Sequence, residues 1–427
     1  MSDFRLLLAR CAAACLLLGL STVSHALNVG CDWLPQPWDT ETSNNGYLDS
    51  HASYYLALLP SSPGPDTEII IEGTYPQVRY FSFQVSSGYS FSNLVDQISD
   101  AKIYPEEGGS PNPNPAALPP SNGYTNHYRL TIKFIDPPAE REPNTLYAGA
   151  RTGALPQITF RRYLANPGVS VEDPADLPTL TYVGPKGTIP LSQTPEQSAC
   201  KALNNYFKLV LGTGVIVNPV VYPSPTPVFT PIFFIKLIPY PNADSPYLEA
   251  LTSQVSDMVV VRVKLPVTPV LPPGTNTPEA RYWSICQNER FSTANVACIA
   301  DSEAVAQADG YSMFVISPDA KRPPLATTDN GYNWMPWGSS YNAYVAMRET
   351  LPAPDFPGSY SIANQYWWKP MSQTIPGYEP ESTYCDLATF NANAAIGGET
   401  LIQACRAAYV GQAARNSSKT PAALARH

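Results

Sequence analysis

Charge is scarce in this sequence. Only 14% of its 427 residues are Asp, Glu, Lys or Arg, against about a quarter in an average globular chain. Lys and Arg never run beyond two in a row, which excludes a basic nucleic-acid footprint. The formal net charge of −9 is mild and dispersed, and solubility is reason enough for it. Histidine is almost missing, with four in the chain: His25, His51, His127 and His427. A three-histidine zinc site in the exported chain would have to recruit the terminal His427, so no metal site is expected. The Cys-x-x-Cys spacing of metal and redox motifs is absent. So are the Gly-x-Ser-x-Gly elbow, the phosphate-binding glycine loop, the dinucleotide fingerprint and the acidic calcium loop. No cofactor is expected. The most apolar stretch, residues 210–240, is broken by proline and glycine, so no transmembrane segment is expected in the mature chain.

Tyrosine and proline, by contrast, are abundant. The chain has 26 Tyr and 46 Pro, the latter roughly twice the average share. Low charge with many aromatics and prolines suits strands, turns and long surface loops rather than a helical bundle. The fold class expected is all-β.

The first 26 residues read as an export signal. Arg5 and Arg10 form the charged region, CAAACLLLGL (11–20) the apolar one, and STVSHA ends in small-x-small, with cleavage expected after Ala26. Removing it leaves Cys31, Cys200, Cys286, Cys298, Cys385 and Cys405. An even set in an exported chain reads as three disulfides and a periplasmic or extracellular location. Cys286 and Cys298 lie on two short apolar runs that could neighbour each other. Cys385 and Cys405 flank an alanine-rich, helix-prone stretch. Cys31 and Cys200 then pair by elimination.

The sequence also repeats itself. PQVRYFSFQV (76–85) is echoed by PEARYWSICQ (278–287). TEIIIEGTYP (67–76) corresponds to DMVVVRVKLP (257–266), both short β-branched runs ending in proline. GYTNHYRLTIKFI (123–135) corresponds to GYSMFVIS (310–317), NTLYAG (144–149) to NWMPWG (333–338), and ITFRRYLANPG (158–168) to YVAMRETLPAPDF (344–356). The order is kept while the offset drifts between 189 and 202, as a tandem duplication with variable loops produces. Two homologous antiparallel β-sandwich or jelly-roll domains follow, at 27–168 and 245–357. Residues 169–244 form a connecting segment, with a short helix over TPEQSACKALNNYF (194–207) capped by Thr194 and the apolar strap 210–240. Residues 358–412 form a disulfide-linked extension, and 413–427 a flexible tail.

ARYWSICQNE (280–289), ACIAD (297–301), DGYSMFVIS (309–317), NWMPWG (333–338) and RETLPAPDF (348–356) together resemble a family of uncharacterised exported bacterial proteins. More distantly they resemble the tandem domains of unknown function 1254 and 1214. The resemblance implies paired β domains and brings no catalytic residues with it.

Candidate functional residues are few. Asp49 and His51, in the polar loop NNGYLDSHASYY, are the best catalytic pair available, although such Asp and Ser side chains commonly bond nearby backbone. Arg79 and Arg281 hold equivalent places in the two copies and could grip an anionic ligand or serve the fold. Asn144 and Asn333 could fix a turn through their amides. Trp334, Trp337, Tyr341, Trp367 and Trp368 concentrate in the second half, where ring faces can stack on a carbohydrate or another small organic ligand. The function expected is ligand binding in the periplasm or outside the cell. A hydrolase or lyase using Asp49 and His51 in an interdomain site, and an envelope assembly protein, are the alternatives.

Overall fold

In the computed structural model, the structure describes residues 27–38, 44, 46–61, 63–64, 66–87, 93–106, 127–149, 156–212, 226–231, 242–269, 277–290 and 292–418. The expected export signal, most of the 210–240 strap and residues 419–427 of the tail lie outside these.

The chain divides into two compact units. The first has two sheets. One carries β1 (Cys31–Trp38), β2 (Ala52–Leu58), β8 (Gln157–Ala165), β4 (Val78–Ser87) and β5 (Asn93–Ser99), in that order. The other carries β10 (Gly187–Pro190), β9 (Thr179–Gly184), β3 (Glu68–Thr74), β6 (His127–Lys133) and β7 (Thr145–Tyr147). Phe81, Phe83 and Phe160 from the first sheet share a core with Ile69, Ile71, Tyr128, Leu130 and Ile132 from the second. That is sandwich packing, with inward residues at alternate positions. β6 shows the alternation well: Tyr128, Leu130 and Ile132 are buried between more exposed neighbours.

The second unit repeats the plan. β11 (Thr230–Pro231), β12 (Tyr247–Ser253), β18 (Asn342–Pro352), β14 (Ala280–Glu289) and β15 (Asn295–Ala300) form one sheet. β17 (Tyr332–Pro336), β16 (Ser312–Ser317), β13 (Met258–Val263) and β19 (Glu381–Cys385) form the other. Strand for strand, β12-β18-β14-β15 matches β2-β8-β4-β5, and β19-β13-β16-β17 matches β9-β3-β6-β7. The protein is therefore mostly β, with four sheets in two similar sandwich-like halves among the described residues.

β13, MVVVRV, is buried along its whole length. Val259, Val261 and Val263 face the sandwich core. Met258 and Val260 face outward, against Phe390 of α4 (Leu387–Asn393) and Leu401, Ile402 and Cys405 of α5 (Gly398–Ser418). Burial on both faces explains why the run is continuously apolar.

The structure differs from the sequence expectations in three places. The sheets are not wholly antiparallel, since β6 pairs with β7, and β16 with β17, in parallel. Both exceptions fall at the same position of the repeat. Next, β9 and β10 lie inside the expected connecting segment and β19 inside the expected extension, yet all three belong to sandwich sheets. β3 and β13 each need a hydrogen-bonding neighbour on both sides, and β9 and β19 supply the second one. Finally, the helix α1 runs Gln197–Gly212 rather than from Thr194. Glu196 is drawn away, its carboxylate accepting the backbone N–H groups of Asn28, Val29 and Gly30 at 2.6, 3.1 and 3.2 Å. Gln197 likewise donates to the Ser192 carbonyl instead of closing a capping box.

Three disulfides brace the halves. Cys31–Cys200 ties β1 to α1, Cys286–Cys298 joins directly opposed positions of β14 and β15, and Cys385–Cys405 ties β19 to α5. Three such bonds fit an oxidising compartment. Among the described residues no helix is long and apolar enough to cross a membrane.

Candidate functional site

The catalytic candidate Asp49 lies in the segment Asn44–Ser50, which belongs to the second unit, whereas His51 opens the first unit's portion of the chain. Asp49 is fully buried. Its Oδ2 accepts hydrogen bonds from the Tyr282 hydroxyl at 2.7 Å and the Ser284 hydroxyl at 2.6 Å, and pairs with Arg348 Nη1 at 2.8 Å. Arg348 Nη2 also donates to the Tyr47 carbonyl at 3.1 Å. Burial, then the Asp49 charge, pushes the Tyr282 phenol far above its ordinary range. A carboxylate held this way, away from solvent, anchors a loop. Asp49 also lies close to the sulfurs of Cys286 and Cys298. Those sulfurs are bonded to each other, so they offer no thiolate to a metal.

The signature serine and tyrosine of RYWSI thus receive Asp49. In the first unit the equivalent Tyr80 of RYFSF donates to Asn242 Oδ1 at 3.3 Å, and Gln97 Nε2 donates to the same oxygen at 2.9 Å. Residues 242–243 belong to that unit. Asn242 stands two residues before Asp244, as Asp49 stands two before His51. The Asp244 and His51 carbonyls accept N–H bonds from Leu351 and Leu164 respectively, both at 2.8 Å, and both leucines have positive φ, 47° and 52°. A duplicated structural joint explains the Asp-x-His spacing without any chemistry.

The duplicated arginines are recessed rather than displayed. Arg79 is buried on β4 and Arg281 partly buried on β14, as side chains kept for the fold would be.

The aromatic candidates separate. Trp337 is 2% exposed in the second unit's core, its indole donating to the Ser340 carbonyl at 2.8 Å. A ring enclosed there cannot stack on a ligand. Trp334 is partly buried, its indole bonded to Ser317 at 3.0 Å and its face covered by the Arg322 guanidinium at 4.2 Å. Tyr341 is 54% exposed. It lies near Tyr409, whose phenol is pushed up by burial first and by Tyr341 second. Trp367 and Trp368 are 49% and 62% exposed. Their ring centroids lie 6.1 Å apart and nearly perpendicular, and Tyr366 meets Trp368 at 5.7 Å. Lys369 Nζ stands 4.8 Å over the Tyr366 ring.

These rings follow the short helix α2 (Tyr360–Gln365), and α3 (Met371–Thr374) comes after them. The presentation is built from below. Ser359 caps α2 by accepting from the Ser361 N–H, and its hydroxyl donates to Glu349 Oε2 at 2.9 Å. The Tyr360 N–H donates to the same oxygen at 2.9 Å. The Tyr360 hydroxyl accepts from the Trp283 indole at 2.8 Å. Glu349 is fully buried, and its Oε1 has no partner among the described residues. Desolvation raises its carboxyl to about 8, against the lowering effect of the Ser359 and Tyr360 hydrogen bonds. A largely neutral Glu349 therefore pins the start of α2, and the Tyr366-Trp367-Trp368-Lys369 corner projects from its far end. Sequence reasoning missed Glu349. Its signal was present: in RETLPAPDF a carboxylate occupies a strand position that the register places opposite Trp283.

Comparison with known proteins bears on the fold alone. The chain is similar to the crystal structure of an uncharacterised protein from Burkholderia cenocepacia, at 14% identity and a TM-score of 0.52, covering 89% of this chain and 90% of that one. A Vibrio parahaemolyticus protein solved by structural genomics matches 79% of this chain and 89% of its own at 10% identity, with a TM-score of 0.39. No protein-family model matches, and no curated protein matches.

Proposed function

We propose that this is an exported, non-catalytic binding protein, working in the periplasm or outside the cell, whose Trp367–Trp368 corner takes the flat face of a carbohydrate or another organic ligand. One observation carries the reading: two adjacent indoles stay about half exposed on a turn anchored through α2 to buried Glu349. Indole faces offer large, rigid contact area at little conformational cost, and Lys369 beside them offers a donor to ligand oxygens. The burial of Asp49 and its three partners weighs against the hydrolase or lyase alternative, which relied on it as a base. The motif resemblance to the exported bacterial family, and more distantly to the tandem domains of unknown function 1254 and 1214, agrees with the paired-domain fold and adds no activity.

The test is the melting temperature of the mature, oxidised protein against panels of glycans, lipids and aromatic acids. A ligand at a hundred times its dissociation constant adds about 2.7 kcal/mol of stability. The expected result is a shift with one class that disappears in the Trp367→Ala/Trp368→Ala double variant. A panel in which no ligand class loses its shift in the double variant would refute this assignment of the site.

A further inference from the structure

A second candidate lies in the first unit and does not depend on the Trp367–Trp368 corner. A pocket of about 390 Å³ opens there between β1 and the first two turns of α1. This is within the range of about 300–1,000 Å³ usual for small-molecule sites. From the geometry and the chemistry of its walls we infer that it binds a single neutral sugar ring.

The walls combine apolar surface with several hydrogen-bonding side chains. Asp32 and Trp33 line it from β1, and Gln197, Ser198, Lys201 and Asn204 line it from α1. Asp32 only accepts, Lys201 only donates, and the hydroxyl and two amides do both. Such a mixture matches vicinal hydroxyls, each of which donates and accepts. The two charges are opposite and cancel across the pocket. Neither Asp32 nor Lys201 has an ion-pair partner among the described residues, so a ligand of either net sign would leave one of them opposed.

Two wall groups lack satisfaction that a polyol would provide. Asp32 is partly buried, and burial pushes its carboxyl above the usual range, with only the Trp33 backbone N–H acting against this. Asn204 is about nine-tenths buried, and its Oδ1 has no hydrogen-bond partner among the described residues. A buried amide oxygen left unpaired is destabilising. A ligand hydroxyl reaching that oxygen would supply the missing partner and relieve that cost.

Trp33 is different. Its indole donates to the Pro178 carbonyl at 2.7 Å and its ring packs 5.9 Å from Phe160. The ring is thereby locked, a flat apolar wall suited to the C–H face of a sugar. The Cys31–Cys200 disulfide joins the two elements that form the walls, so the pocket is preset before ligand arrives, which lowers the entropic cost of binding.

The experiment is isothermal titration of the mature, oxidised protein with D-glucose, D-galactose, D-mannose and N-acetyl-D-glucosamine, with glycine and L-lysine as charged controls. One sugar is expected to saturate at one per chain. Asp32→Asn and Asn204→Ala should each weaken it by about tenfold or more. Ser198→Trp, at an exposed helix position where folding tolerates the change, should fill the mouth and abolish binding while the circular dichroism and Tm stay unchanged. The Trp367→Ala/Trp368→Ala variant should bind the same sugar as wild type does. Saturation by no sugar, saturation by an amino acid instead, or sugar binding unaffected by Ser198→Trp would each overturn the inference. Sugar binding lost in the double tryptophan variant but kept in Ser198→Trp would overturn it while supporting the corner site.

Discussion

The side-chain amides of Asn144 and Asn333 make the same three hydrogen bonds, one set in each unit. Asn144 Oδ1 accepts the Tyr104 N–H at 2.8 Å while its Nδ2 donates to the Tyr104 carbonyl at 2.8 Å and the Arg129 carbonyl at 3.0 Å. Asn333 Oδ1 accepts the Val305 N–H at 2.8 Å while its Nδ2 donates to the Val305 carbonyl at 2.8 Å and the Met313 carbonyl at 3.2 Å. The amide reads a loop backbone as a neighbouring strand would, and fastens it to the sheet just where the parallel strand begins. Asn333 is buried, whereas the Asn144 bonds lie near solvent. Asn333→Ala should therefore cost about 2–4 kcal/mol, from several buried backbone groups left unpaired. Asn144→Ala should cost less. Urea midpoints of the two variants check the order, and a reversed order would show that exposure does not set the difference.

The Asp49–Arg348 pair sits where both side chains are almost wholly buried. Removing one partner strands the other charge, a loss of about 3–5 kcal/mol. Asp49→Ala is expected to show that loss in chemical denaturation. Asp49→Asn, which still accepts from Tyr282 and Ser284, should lose less. If Asp49→Ala kept wild-type stability but abolished a turnover, the structural role assigned to Asp49 would be wrong.

Glu349 makes stability depend on pH in an unusual direction. Its folded-state pKa, about 8, lies above the ordinary carboxylate value. The folded protein therefore holds a proton that the unfolded chain releases from about pH 4.3 upward. Its contribution is fully present below that value and is lost as pH rises toward 8, at up to about 1.4 kcal/mol per pH unit. Glu349→Gln cannot ionise and should flatten this fall. Thermal melts of both proteins between pH 4 and pH 9 give the comparison, and parallel curves would mean that Glu349 is ionised in the folded state.

Glu196 should decide whether residues 27–30 stay docked. Leu27 is buried, and the next three N–H groups all point to the Glu196 carboxylate. With the Cys31–Cys200 bond intact, Glu196→Ala should speed hydrogen exchange at Asn28, Val29 and Gly30 by tenfold or more, roughly one lost charge-assisted bond. Gly30→Ala offers a separate probe. Its φ is +107°, and a Cβ there would stand 2.5 Å from the Leu58 carbonyl oxygen. A Tm drop is expected, and an unchanged Tm would show that β1 can shift without cost.

Much of the architecture was legible in the residues. Alternating and β-branched runs announce strands because side chains on a pleated ribbon switch faces at every residue. The repeated Arg-Tyr-aromatic-Ser and the two asparagines announce duplication, since the same joint needs the same side chain twice. β9 and β19 escaped notice. LTYVG and STYCD, 202 residues apart like the Arg-Tyr motifs, are short and lie beside prolines, and only their pairing with β3 and β13 identifies them. The aromatic candidates were visible as residues but not as surfaces. Trp337 and Trp367 look alike in sequence, and the packing of β17 against the core encloses one while the α2 turn displays the other.

The sequence by itself determined the class of fold, the doubling and the cysteine supply, because each rests on local pattern or composition. Tertiary structure decided which polar groups are spent on the fold. Asp49 and His51 are two residues apart, yet Asp49 is absorbed by Tyr282, Ser284 and Arg348, more than 230 positions away. The Asp32–Asn204 pocket exists only because β1 and α1 are brought together, and the Glu349 carboxyl is raised chiefly by burial. Desolvation and long-range hydrogen bonding depend on what the folded chain removes from water, which no local stretch of sequence records.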